Sequence, residues 1–117
     1  GFNESFAGTD ERSLADFANK YQAWIDTKKK DFTNDGKEPR FVLVSPIAFE
    51  STGNPLQPSG NAENESLKIY AQAIEKLALD QGHLFVDLFE PTKMAFDAES
   101  GNQFTDNGVF LEFYISL

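Results

Sequence analysis

The chain has no cysteine, which excludes thiol nucleophiles, thiolate-bound metals and disulfide staples. It has one histidine, His83, and its carboxylates are scattered, so no metal-ligand spacing can be assembled and neither a metal nor a cofactor is expected. Basic residues are scarce as well. Ten Lys and Arg stand against nineteen Asp and Glu, giving a net charge of −9 and a pI near 4.4. That balance repels phosphate backbones and anionic lipid, so nucleic acid is not expected as a partner. The one dense basic run, Lys28 to Lys30, falls at the end of a predicted helix, where cations favour the negative end of the dipole. Long apolar runs are missing too: no stretch approaches the roughly 18 residues of a membrane span, and none is expected. The first residues show no basic, apolar, small-residue leader pattern. Gly1 stands where an initiator methionine would, which suggests a natural N-terminus outside residues 1–117.

What remains is an ordinary globular composition. With 117 residues, 40% hydrophobic and 25% charged, the chain is expected to form a single, partial domain over 1–117. A folded chain of this size buries roughly 65% of the surface its unfolded form exposes, enough for a core if its elements complete one another.

Leu14, Phe17, Tyr21 and Trp24, with Ala18 and Ile25 beside them, recur at helical spacing and predict an amphipathic helix over 10–30. Thr9, Asp10 or Ser13 can cap its start, and Asn34, Asp35 and Gly36 supply turn chemistry after its end. Phe41 to Val44, continuing through Ser45 and Pro46 to Ile47, is apolar without alternation, as in a strand of a parallel sheet buried on both faces. Residues 48–62 are rich in Pro, Gly, Ser and Asn and predict a long irregular loop. A second helix fits 64–80, with Leu67, Tyr70, Ala71, Ile74, Leu77 and Ala78 on one face and Gly82 as a left-handed C-terminal cap. Leu84 to Leu88 then repeat the non-alternating strand pattern.

Strand, helix, strand in this order implies a parallel crossover unit and an α/β class. Two strands apolar on both faces need helices on both sides and further strands at their edges, and a two-stranded sheet is marginal by itself. Additional strands are therefore expected outside this sequence, most simply before Gly1.

In open α/β sheets, sites form at the carboxyl ends of the strands. If a strand precedes Gly1, Asn3 would lie at such an end, where a side-chain amide can donate to a developing oxyanion. By residue type alone Asn3 is weighted toward a turn or cap, with the oxyanion role as the alternative. Asp87 and Glu90, after the second strand, read as caps for a helix from Pro91 onward. His83 precedes a strand, at the amino end of the sheet, away from the chemistry. Ser5, Ser13, Ser45 and Ser51 all lack the glycine-flanked strand-to-helix turn of a nucleophilic serine.

A succession of short blocks adds a second line of inference. Gly1-Phe2-Asn3-Glu4 resembles the G-x-N-D/E block of SGNH hydrolases, also called GDSL-type lipases and acylhydrolases. Arg40 to Pro46 is similar to the family's fourth strand, Asn64 through Ala78 to its N-x-x-x-x-x-Y helix, and Phe85 to Phe89 to its fifth strand. Phe104-Thr105-Asp106-Asn107-Gly108-Val109-Phe110-Leu111 resembles the closing T-x-N-G-x-H-L block. The resemblance covers nearly the whole chain and fades after Leu111.

The resemblance implies a three-layer α/β/α, flavodoxin-like fold that cleaves carboxylic esters with a Ser nucleophile, a His base and an orienting Asp. Family oxyanion holes combine two backbone N–H groups with the amide of the G-x-N-D block, which here is Asn3. The blocks carrying the serine and the oxyanion glycine come earlier in the family, so neither lies within residues 1–117. Phe110 stands at the position of the family histidine, and a phenyl ring neither accepts nor donates a proton. Asn107 occupies the position of the family acid; Asp106, one residue earlier, would serve as a triad acid only with an altered loop.

The expectation is thus an SGNH-type esterase or acylhydrolase, as a fragment or a diverged member, for a small-molecule or carbohydrate ester such as an acetyl ester, and inactive alone. The alternative is a pseudoenzyme, a glycan- or protein-binding module on the same fold. Export of many relatives implies an extracytoplasmic location. The apolar tail 109–117 reads either as a buried strand or helix, or as the product of a truncated or shifted reading frame.

Overall fold

The computed structural model describes residues 2–98 and 103–109. The chain opens with a single helical turn, α1 (Phe2–Ser5), in which the Ser5 hydroxyl donates to the Phe2 carbonyl at 2.6 Å. The long helix α2 (Glu11–Phe32) begins at Asp10, the middle of the three predicted caps. Asp10 Oδ1 accepts from the N–H groups of Arg12 (3.0 Å) and Ser13 (3.1 Å), satisfying two of the donors that a helix start leaves unpaired. After α2, Asn34 and Lys37 exchange backbone hydrogen bonds around Asp35 and Gly36, both at positive φ (49° and 72°), the conformation a tight reversing turn demands. Two lysines of the basic run pair locally, Lys28 with Asp31 at 3.5 Å and Lys29 with Glu38 at 2.9 Å. Exposed pairs of this kind add little stability.

Strands β1 (Val42–Val44) and β2 (Leu84–Val86) pair in parallel, with Val42 opposite Leu84, Leu43 opposite Phe85 and Val44 opposite Val86. Helix α3 (Asn61–Gln81) crosses between them. It starts at Asn61, three residues before Asn64, with left-handed Gly60 as its N-cap, and the Asn64 amide is engaged with Phe49. It ends as predicted at Gly82, whose φ of 72° lets its N–H reach the Leu79 carbonyl at 3.2 Å while the His83 N–H bonds the Ala78 carbonyl at 2.8 Å. Helix α4 (Phe89–Ala98) follows β2 directly, with Pro91 in its first turn, where a missing N–H costs nothing. The result is a mixed α/β fold with a small parallel sheet. No helix among the described residues is long and apolar enough to cross a membrane.

Among the described residues, two clusters form the core. Ile25, Leu43, Ile74 and Ala78 join α2, β1 and α3, with Phe17, Tyr21, Phe41, Leu77 and Phe85 at their margin. Ala48, Phe49, Leu67, Ala71 and Phe89 join the loop after β1 to α3 and α4, with Phe2, Phe96 and Val109 against them. The uninterrupted apolar runs predict strands covered on both faces. Among the described residues only one face is covered: Leu43 is 2% exposed, whereas Val42, Val44, Leu84 and Val86 are 42–65% exposed. Burial alternates where hydrophobicity does not, because α2 and α3 both lie on the Leu43 side.

Candidate functional site

The carboxyl ends of the two strands are tied together by Ser45. It is buried, its N–H bonds the Val86 carbonyl at 3.0 Å, and its Oγ accepts from the N–H groups of Leu88 (2.8 Å) and Phe89 (3.0 Å). The hydroxyl proton has two acceptors in reach, Asp87 Oδ1 at 3.0 Å and the Pro46 carbonyl at 3.1 Å. Asp87 Oδ1 also accepts from Phe89 N–H at 2.9 Å, so the pair caps α4. The predicted cap role of Asp87 is therefore present. Glu90 instead bonds Lys68 of α3 at 3.0 Å.

The loop after β1 is anchored at three successive residues. Ala48 N–H donates to Thr92 Oγ1 at 2.9 Å. Phe49 makes a two-point clamp with Asn64: its N–H donates to Oδ1 (2.7 Å) and its carbonyl accepts from Nδ2 (2.9 Å). Glu50, 4% exposed, receives the backbone N–H of Phe104 (2.9 Å) and both the N–H (2.7 Å) and hydroxyl (2.6 Å) of Thr105. Thr105 Oγ1 in turn accepts from Gly108 N–H at 2.9 Å, and the Gly108 carbonyl accepts from Glu50 N–H at 2.9 Å. A buried carboxylate demands such donors, and here they lock 104–109 onto the strand end.

The ring of Phe49 is the meeting point of the first and last described segments. Phe2 stacks on it, with centroids 6.5 Å apart and planes 16° from parallel, and Gly108 packs against its edge. Gly108 has φ of +88°, and a Cβ there would lie 2.6 Å from Phe49 Cε1. Two features, conformation and space, thus require glycine. The segment after α1 is tied to α3, where the buried Tyr70 hydroxyl donates to the Gly8 carbonyl at 2.9 Å. Burial raises the Tyr70 phenol above its ordinary value, with the carboxylates of Glu4, Asp10 and Asp16 adding to the effect.

Asn3 is exposed on α1, one residue from the Phe2 ring that stacks on Phe49. Asp106 and Asn107 are both exposed in the loop that Glu50 holds. Asn107 Oδ1 accepts from Val109 N–H at 3.2 Å, a local turn bond. The packing on Phe49 brings the segment of Asn3 and the segment of Asp106 and Asn107 to the same end of the sheet. Phe110 lies outside the described residues. His83 sits at the opposite end, half-buried, its ring tilted against Phe41 at 5.2 Å. Ser5 and Ser13 are engaged in bonds within the first thirteen residues.

Glu50 was not among the residues that the sequence singled out. Its only local signal is a carboxylate directly after the apolar pair Ala48 and Phe49, and its partners lie more than fifty positions away. No family model, no curated protein and no solved structure matches the chain.

Proposed function

We propose that the chain is the C-terminal portion, or a diverged relative, of an SGNH-type carboxylic ester hydrolase with a three-layer α/β/α fold. In this reading Asn3 is an oxyanion donor, and 104–109 is the loop that presents the triad acid and base in active relatives. The observation that supports it is the convergence on Phe49 of Phe2, next to Asn3, and Gly108, next to Asn107, at the carboxyl ends of parallel strands. The substrate class is a small acyl ester, such as an acetyl group on a carbohydrate.

In this reading the block that carries the nucleophilic serine lies outside residues 1–117, and the chain's one histidine, His83, sits at the other end of the sheet, so the expected turnover is negligible. The test is hydrolysis of p-nitrophenyl acetate by residues 1–117. The expected rate equals that of buffer. Turnover comparable to that of an active family enzyme, and abolished by Asn3→Ala, would overturn the claim of inactivity.

Phe110 favours a second reading, a non-catalytic module that keeps the cleft for a glycan or a protein, because an aromatic ring replaces the proton carrier at that position. The flanking coding sequence separates the two. An upstream G-D-S block supports the hydrolase, and a native start near Gly1 supports the module.

A further inference from the structure

Asn107–Gly108 is the single Asn-Gly step in the 117 residues. Asparagine is chemically labile, and a following glycine offers no side chain to keep its backbone nitrogen away from the asparagine amide carbon. Attack by that nitrogen on Cγ closes a cyclic imide and expels ammonia. Water then opens the ring at either carbonyl, leaving aspartate or, where the main chain now runs through the former side chain, isoaspartate. For this to happen the Gly108 nitrogen must shed its proton and reach Asn107 Cγ, and both groups are held by others. Gly108 is buried and its N–H is committed to Thr105 Oγ1 at 2.9 Å, while Asn107 Oδ1 accepts from Val109 N–H at 3.2 Å. Thr105 is itself fixed by Glu50, and the Gly108 carbonyl accepts from the Glu50 N–H at 2.9 Å.

We propose that Asn107–Gly108 is a covalent modification site that Thr105 keeps shut: it converts when the 104–109 loop leaves Phe49, and the isoaspartyl product prevents the loop from closing again. The first half follows from the bonding, since the nitrogen that must attack is the buried one held by Thr105. The second half follows from space. Gly108 lies so close to the Phe49 ring that an added Cβ would sit 2.4 Å from Cζ. An isoaspartyl link lengthens the main chain by a methylene just before that glycine, and a close-packed contact has no room to absorb the displacement. Asp35–Gly36, the single Asp-Gly step, forms the same imide with loss of water instead of ammonia. There a Cβ on Gly36 would meet nothing within 4 Å, so this exposed turn is an unguarded reference in the same molecule.

The experiment incubates residues 1–117 at mildly alkaline pH, digests aliquots, and quantifies the peptide holding residue 107 by mass spectrometry as asparagine, aspartate and isoaspartate. Conversion is expected to be at least about tenfold slower in the folded chain than in the same chain unfolded in urea. Thr105→Val, which keeps the side chain's shape but removes the hydroxyl, should speed conversion in the folded chain about tenfold, whereas Thr105→Ser should stay slow. Amide exchange at Leu67 and Ile74 should remain slow in both variants, and the rate at Asp35–Gly36 should not change. The purified isoaspartyl form should exchange the Phe104 and Thr105 amides fast while Leu67 and Ile74 stay protected. Equal conversion in the folded and urea-unfolded chain overturns the proposal, as does an isoaspartyl form whose Phe104 and Thr105 amides stay slow; neither test needs a substitution. Slow conversion in a folded Thr105→Val removes Thr105 as the gate, and faster conversion together with lost protection at Leu67 and Ile74 assigns the effect to global unfolding and overturns the local gate.

Discussion

Glu50 and Thr105, 55 positions apart in sequence, meet through two hydrogen bonds to one carboxylate oxygen, at 2.7 Å from the threonine N–H and 2.6 Å from its hydroxyl. This contact fastens the 104–109 loop to the segment that follows β1. The Thr105 hydroxyl both donates to Glu50 and accepts from the Gly108 N–H, so this one side chain links the carboxylate to the turn that follows.

Replacing Glu50 by Gln keeps the shape but removes the charge, and with its carbonyl oxygen in the place of Oε2, where all three donors converge, it sets an NH2 group against the Phe104 N–H that now also bonds Oε1. Hydrogen bonds to a charged group contribute about 1.5–3 kcal/mol each, and an orphaned buried donor costs a similar amount. Glu50→Gln is expected to destabilise the chain by about 2–3 kcal/mol. It should also release the Phe104 and Thr105 amides to fast exchange. Urea unfolding with unchanged midpoint would show that the carboxylate does not hold the loop.

Gly108 is constrained twice, by a φ of +88° and by the Phe49 ring. Gly108→Ala is expected to cost more than about 2 kcal/mol through strain and overlap together. The two causes separate in a double-mutant cycle: in a Phe49→Ala background the overlap is gone and only the conformational part remains. Equal penalties in both backgrounds would assign the whole effect to backbone strain.

The helices were readable in the sequence because their information is local. Phe17, Tyr21 and Ile25 share a stripe that any amphipathic helix shows, and Asp10 and Gly82 mark its start and the next helix's stop by their own conformational preferences. The parallel pairing of β1 and β2 followed from the intervening helix. Which strand face is covered was not readable, since Val42, Leu43 and Val44 are equally apolar and only the arrangement of α2 and α3 distinguishes them. Asn64 illustrates the same limit in a polar residue. Its residue type and place predict a helix start, whereas it lies inside α3 with its amide clamped on Phe49, a partner fifteen positions away. The candidate site was legible as segments, Asn3 in one and Asp106 and Asn107 in the other, while the residues that join them, Phe49 and Glu50, sit in a loop whose composition signals only irregularity.

Tyr70 gives a pH prediction. Its phenol is raised from the ordinary value of 10.0 chiefly because burial disfavours the phenolate. A group whose folded value lies above its unfolded value contributes stability that is intact below the unfolded value and lost as pH rises through the folded one. The unsubstituted chain should therefore lose stability above pH 10 more steeply than Tyr70→Phe does, although Tyr21, also raised by burial, contributes to both. At neutral pH, Tyr70→Phe is expected to cost about 1–2 kcal/mol by stranding the Gly8 carbonyl. Parallel pH profiles for the two proteins would remove Tyr70 from the alkaline transition.

Ser45 tests whether the strand-end serine is structural or chemical. Its Oγ accepts from two backbone donors, Leu88 N–H and Phe89 N–H, and its proton is directed to Asp87 or Pro46, so no lone imidazole or open cleft is needed to account for any of its bonds. Ser45→Ala would leave the Leu88 N–H without its partner, whereas Phe89 N–H retains Asp87 Oδ1. One orphaned, partly buried donor and a weakened cap together predict a loss of about 1–3 kcal/mol. A nucleophile would behave differently, costing chemistry and sparing the fold. Ser45→Ala is thus expected to lower the urea midpoint and to leave the background rate on p-nitrophenyl acetate unchanged; the reverse pattern would move Ser45 from the scaffold into the chemistry.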